Sequence, residues 1–194
     1  MIVDTELTPT AERIADAAQD LIQHLGYNGF SFDHISKMVG IRKPSIHYHF
    51  HSKSELGATL VRRYTNQFSA KLKSIQQSEK NARGRLNAFA ELFEVTYQQN
   101  RKMCVCGMLA AESSSLDDSV NLEVQRFFQL SLTWLTDVFE EGLESGNLSS
   151  RQSASSLAEA LLSMLEGSML VGRCLTSSMG PAHLSELFLS SLTG

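Results

Sequence analysis

The chain has 194 residues, of which 42% are hydrophobic, enough for a sizeable core; Pro (3) and Gly (12) are too sparse for the regular turns of an all-β protein. A net charge of -4 excludes a polycation that coats nucleic acid along its whole surface, so any DNA contact must be local. The start of the chain, with Asp4 and Glu6, lacks the basic and apolar run of an export signal. The most apolar stretch, 157–175, is interrupted by Glu159, Ser163, Glu166 and Arg173, so no membrane span and no membrane partner are expected. Three cysteines, an odd number, suit a reducing cytoplasm better than a disulfide scaffold.

The spacing predicts an all-α chain. Thr8 caps a helix that opens on Pro9 and carries Ile14, Ala18, Leu21, Ile22 and Leu25 on one face up to Gly26. Ser31 caps a short helix with Phe32, Ile35, Met38 and Val39 turned inward, ending at Gly40. The tight turn 40–42 leads into a third short helix, 43–49, with Pro44 in its first turn, where a missing N–H costs nothing. Ser52 and Glu55 have the spacing of a capping box for a long helix reaching about residue 77. Further helical periodicity covers 83–99, 105–113, 119–143, 154–175 and 181–192, with Gly142, Gly146, Gly180 and Pro181 as punctuation. The change from short to long helices divides the chain into a helix-turn-helix domain at 1–53 and a helical effector-binding and dimerisation domain at 54–194.

Residues 34–54 hold Lys37, Arg42, Lys43 and Lys53, four histidines, and no acid. A short helix held by a preceding helix can enter a major groove end-on. Phe32, Ile35, Met38, Ile41, Ile46 and Phe50 are expected to form one small core with Ile14, Leu21 and Leu25. Arg42, Lys43, Ser45, His47, Tyr48 and His49 are left as donors and stackers on the surface. A metal site built from His47, His49 and His51 is disfavoured by their alternate spacing on a helix and the lack of a cysteine or acid nearby. No phosphate loop, catalytic triad or cofactor fingerprint is present, so neither an enzyme nor a cofactor is expected.

The run FDHISKMVGIRKPSIHYHF at 32–50, followed by SKSEL at 52–56, resembles the signature of the TetR family of transcriptional regulators. The resemblance covers residues 10–60. It implies a homodimer that binds double-stranded operator DNA, most often as a repressor, and releases it when a small-molecule inducer enters the C-terminal domain. It also implies phosphate contacts from Tyr48 and Lys53, and groove-facing roles for Arg42, Lys43 and Ser45. This chain departs from the family at His47 (usually Tyr), Pro44 (often Gly or Ala) and Arg42 (often Ser). The histidine brings a group that changes charge near neutral pH.

In the family the last two long helices pair with those of a second copy, which makes Trp134, Leu161, Leu165, Gly167, Ser168 and Gly172 candidate dimer-interface residues. The apolar residues of the middle helices, Phe89, Phe93, Tyr97, Met103, Cys106, Met108 and Phe128, are candidates for the inducer pocket. The segment CVCGMLAAE at 104–112 resembles a Cys-x-x-Gly-x-Leu stretch of a branch in which some members sense electrophiles or oxidants. Arg101, Lys102 and a helix N-terminus are placed to lower a thiol pKa there. Thiol sensing through Cys104 or Cys106 is therefore the alternative mode of response. The alternative to sensing is that these cysteines are small buried hydrophobes.

Overall fold

The computed structural model describes residues 7–175 and 179–192, so Asp4 and Glu6 lie outside the described residues. Among the described residues the chain forms nine α-helices and no strand. They are α1 (Pro9–Leu25), α2 (Phe32–Val39), α3 (Lys43–His49), α4 (Lys53–Ser78), α5 (Ala82–Gln98), α6 (Val105–Ala111), α7 (Asp118–Glu144), α8 (Ala154–Leu175) and α9 (Pro181–Ser190). The expected all-α architecture is the one found.

Local chemistry explains the boundaries. Thr8 Oγ1 accepts from the Ala11 N–H at 3.3 Å and Pro9 opens α1. Gly40, at φ 74°, supplies the left-handed residue that ends α2 and lets the chain turn into α3. The turn is held from two sides: Arg13 donates to the Val39 carbonyl at 2.7 Å, and the Ser36 hydroxyl to that of Ile41 at 2.6 Å. Ser52 caps α4 through the Glu55 N–H at 3.0 Å, but the Glu55 carboxylate reaches past Ser52 to the His51 N–H at 2.8 Å. The reciprocal half of the expected box is thus displaced by one residue. The helix expected at 105–113 stops at Ala111 and gives way to a 3-10 turn, Ser113–Ser115.

In the three-helix unit Ile14, Ile22, Ile35, Ile46 and Phe50 are buried. Met38 and Leu25 are not part of this core: both are about half exposed (51% and 53%), while Val39 takes the inward position on α2. An eight-residue helix has only two full turns to offer, and here Ile35 and Val39, four residues apart, make the inward face.

The long helices enclose a second core of packed aromatics. Phe68 of α4 lies edge-on to Phe89 of α5 at 5.7 Å and close to Phe127 of α7 at 5.0 Å; Phe89 stacks on Trp134 of α7 at 5.5 Å. The α7 carboxylate of Glu123, only 5% exposed, is held by Arg62 of α4 at 2.8 Å and Arg126 at 2.9 Å. At Gly57 a Cβ would approach Tyr27 to 3.1 Å and Val120 to 3.2 Å, so the glycine lets α4 pass closely between the two parts. Helix α8 is long and apolar enough to meet the length and composition test for a membrane span. The core helix of a helical bundle meets the same test, and Leu157, Leu161, Leu165 and Met169 of α8 are buried within this chain.

Candidate nucleic-acid interface and effector cavity

Helix α3 presents Lys43, Pro44, Ser45, His47 and Tyr48 to solvent and buries Ile46. Tyr48 is 81% exposed. The side chains of Arg42, Ser45 and Tyr48 make no hydrogen bond or ion pair among the described residues. The surface here is a set of uncommitted donors around one anchoring isoleucine. His47 leans edge-on against Phe32 at 5.0 Å, and Tyr48 against His49 at 5.2 Å. His49 is half-buried, with Nδ1 3.5 Å from Thr8 Oγ1.

Two of the expected DNA contacts are already engaged inside the chain. Lys43 forms an ion pair with Asp33 of α2 at 2.7 Å, which holds the Asp33 carboxyl below its usual range. Lys53 points inward: Nζ donates to the Phe30 carbonyl at 2.6 Å and sits over the rings of Tyr27 (4.5 Å) and Phe30 (4.3 Å). Desolvation in this aromatic cradle lowers its pKa. The sequence pattern shows a lysine at the head of α4 but not the ring pair beneath it.

The junction between the three-helix unit and the rest is built from polar contacts on the C-terminal end of α1. Gln23 is buried; its Nε2 donates to the Met103 carbonyl at 3.0 Å, and its own carbonyl accepts from the Met103 N–H at 3.3 Å. Arg173 of α8 donates to the carbonyls of Gln23, at 3.4 Å, and His24, partners that the end of a helix leaves free. Lys102 pairs with Asp20 at 2.8 Å, and Glu112 accepts from the Asn28 N–H at 2.8 Å.

Beside this junction lies a cavity of about 160 Å³. Its walls come from α1 (Gln19, Gln23), α4 (Tyr64, Gln67, Phe68, Lys71), α5 (Leu92, Phe93, Thr96), the 99–104 segment (Gln99, Lys102, Cys104) and α8 (Met169). Of the residues expected to form the pocket, Phe93 lies in this wall. Phe89 is wholly buried against Phe68 and Trp134, and Tyr97 packs on Gly172. Met103 is buried at the Gln23 clasp, Met108 approaches Gly26, and Phe128 lines an open groove between α7 and α8. Cys106 is buried outside the wall and Cys104 takes its place. The polar wall residues that sequence reasoning missed had a visible signal: Gln19 and Gln23, four residues apart, flank the apolar stripe of α1.

Both thiols are pushed above their ordinary pKa range by burial. The cations expected to lower them are turned elsewhere. Asn100 and Arg101 both adopt left-handed backbone (φ 57° and 56°), and Arg101 donates to the Gly172 carbonyl at 3.2 Å, while Lys102 is claimed by Asp20. Behind Cys104 lies the Glu166 carboxyl, whose pKa burial raises well above the usual range.

The expected dimer residues divide. Leu161, Leu165 and Ser168 are buried within the single chain and offer no surface to a second copy; Gly172 is buried against Tyr97, and Trp134 stacks on Phe89. Periodicity shows that α8 is apolar over a wide arc but not which part of the arc faces inward. Gly167 borders open space, and Leu170, Val171 and Leu175 of α8, with Leu187 of α9, are exposed.

Residues 14–58 match the family model described as "Bacterial regulatory proteins, tetR family". The chain is 24% identical over 165 residues to the HTH-type transcriptional repressor DhaR of Mycobacterium sp. (strain GP1), covering 84% of this chain and 82% of that protein. Among solved structures it superposes on a TetR family transcriptional regulator from Agrobacterium tumefaciens with a TM-score of 0.88 at 33% identity, covering 95% of this chain and 98% of the other. A TetR transcriptional regulator from Legionella pneumophila gives a TM-score of 0.85 at 32% identity, covering 97% and 100%. With a third of its residues shared over nearly the full length of such a protein, this chain belongs to the TetR family of transcriptional regulators.

Proposed function

We propose that the chain is a ligand-responsive repressor that binds double-stranded operator DNA as a homodimer. Residues 1–53 serve as the DNA-binding domain and 54–194 as the effector-binding and dimerisation domain. The observation that supports this reading is the exposed face of α3, where the side chains of Arg42, Ser45 and Tyr48 have no hydrogen bond or ion pair among the described residues while Ile46 and Phe50 beside them are anchored in the core. Arg42 and Ser45 suit base edges or phosphates, and His47 and Tyr48 suit the backbone. Lys43 joins them by exchanging Asp33 for a phosphate; His49 and Lys53 act by holding the helix ends in place. The name of DhaR, a repressor, favours the repressing sense.

Homodimerisation would cover the exposed apolar residues Leu170, Val171 and Leu175 of α8 and Leu187 of α9, with Gly167 allowing close approach. Val171→Glu is expected to give a monomer in sedimentation while retaining helicity.

The test of the main reading is enrichment of operator sequences from random duplexes by the purified chain, followed by titration at two salt concentrations. A palindrome bound with a steep salt dependence, and no longer bound when Arg42→Ala and Tyr48→Ala are combined, is the expected result. No enrichment would sink it.

The alternative response, thiol sensing by Cys104 or Cys106, has one observation in its favour: Cys104 lines the cavity. Burial, which keeps both thiols protonated, weighs against it. It fails if Cys104→Ser and Cys106→Ser chains are released from operator by electrophiles as readily as the unaltered chain.

A further inference from the structure

We propose that the cavity at the junction of α1, α4 and α5 takes a small aromatic carboxylate, and that the carboxylate competes with Asp20 for Lys102. This inference rests on the ligand-responsive reading above and adds to it the class of ligand and the bond through which it acts.

The size comes first. A dry cavity of about 150 Å³ accepts one benzene ring, and the 160 Å³ here allows a ring with a short polar tail. Phe68 and Phe93 form part of the wall, with Leu92, Met169 and Cys104 completing an apolar side against which a ring can pack. The rest of the lining is polar and carries a definite sign. It includes Lys71, Lys102 and four glutamines, and no Asp or Glu is among the lining residues. The carboxyl close behind the apolar side, Glu166, has a pKa raised well above the usual carboxyl range by burial, which favours its neutral form and leaves little to repel an anion. Lys71 has no partner among the described residues, so it is free to receive the charge. A cationic ligand would meet two like charges, whereas a neutral one would leave Lys71 unanswered.

Lys102 gives the site its consequence. Its ammonium is paired with Asp20 of α1 at 2.8 Å, and that pair is one of the ties between the DNA-binding helices and the effector domain. Gln23, also in the cavity wall, makes the next tie through Met103. A carboxylate drawn to Lys71 and Lys102 replaces Asp20 at the lysine, so binding energy is set directly against the hold on α1. The ligand and Asp20 then compete for one group, the Lys102 ammonium, and that competition supplies the differential affinity a ligand needs to shift a conformational equilibrium.

The experiment uses the full chain with benzoate, phenylacetate and cinnamate, each beside its primary amide, followed by calorimetry and by release of a selected operator duplex. The carboxylates are expected to bind at least ten times more tightly than their amides and to release operator. Lys71→Met and Lys102→Met should each weaken binding about tenfold. Lys73→Met, on the same helix but lining an outer groove, should not. Asp20→Asn should bind the carboxylates more tightly than the unaltered chain, an effect that a merely structural Asp20 would not produce. Thermal melting of each variant separates a lost site from a lost fold, and Lys102→Arg should restore binding if charge is what matters. Equal binding of amides and carboxylates, or no heat from any carboxylate at millimolar concentration, overturns the proposal. Calorimetry needs no operator, so failure to find one breaks the repressor reading alone. Operator binding that no carboxylate relieves overturns this inference alone.

Discussion

The α3 face and the α1 junction are made of the same kinds of side chain and use them in opposite ways. At α3, the side chains of Arg42, Ser45 and Tyr48 are exposed and have no hydrogen bond or ion pair among the described residues. At the junction Gln23, Arg173, Lys102 and Glu112 each span the boundary between the three-helix unit and the longer helices that follow. An uncommitted donor brings its full bonding capacity to a second molecule; a committed one transmits a change from its partner. On the function proposed above, the comparison separates a surface for recognition from a joint for communication.

The sharpest way to break that separation is to remove the free side chains. Arg42→Ala with Tyr48→Ala is expected to lower operator affinity by about 1–3 kcal/mol for each of the two side chains truncated. The melting midpoint should hardly move, since exposed positions without partners change stability by no more than about 0.5 kcal/mol. Anisotropy titration and thermal denaturation on one preparation check both halves, and a large loss of stability would show that the face is structural. At the junction the order reverses. Arg173→Met takes the donor from the His24 carbonyl, while the Gln23 carbonyl keeps the Met103 N–H, and should destabilise the fold by roughly 1–3 kcal/mol, read by urea denaturation. Operator affinity in the variant should change only as far as α1 moves.

Much of this is legible in the sequence, and the exceptions have physical causes. The helices, the Gly40 turn and the polar side of α3 follow from capping, periodicity and the φ freedom of glycine, which are local. The fates of Lys43 and Lys53 are not local: Asp33 and the Tyr27–Phe30 ring pair claim them only after α2, α3 and α4 have packed. The cavity is less legible still, because its walls come from four helices and the 99–104 segment, and periodicity cannot say which side of a uniformly apolar helix faces which neighbour. That is also why Leu161 and Leu165 read as interface and prove to be core.

Lys43 is the intermediate case, an α3 side chain with a partner, and it sharpens the comparison. The pair with Asp33 is exposed on both sides, and solvent-screened pairs of this kind contribute little to stability. Asp33→Asn should therefore leave the fold intact. It should raise operator affinity by a few-fold and steepen the salt dependence by about one phosphate contact, because the lysine is released and an acid is removed from the interface. An unchanged salt slope would mean that Lys43 stays out of the groove.

The smallest effect tests whether burial behind the cavity is linked to protons. Burial raises the Glu166 pKa well above the ordinary 4.5, so above that pH the folded chain keeps a proton that the unfolded chain has released. The native state then binds more protons than the denatured one, and its stability must fall as pH rises from about the ordinary value toward the raised one. Glu166→Gln keeps the shape and cannot ionise, so it should remove this decline and leave a flatter plot of melting temperature against pH. Because other groups titrate in the same range, the informative quantity is the difference between the two curves. If that difference stays constant with pH, Glu166 is ionised in the folded chain, and the carboxylate proposed for the cavity would have to bind beside a second negative charge.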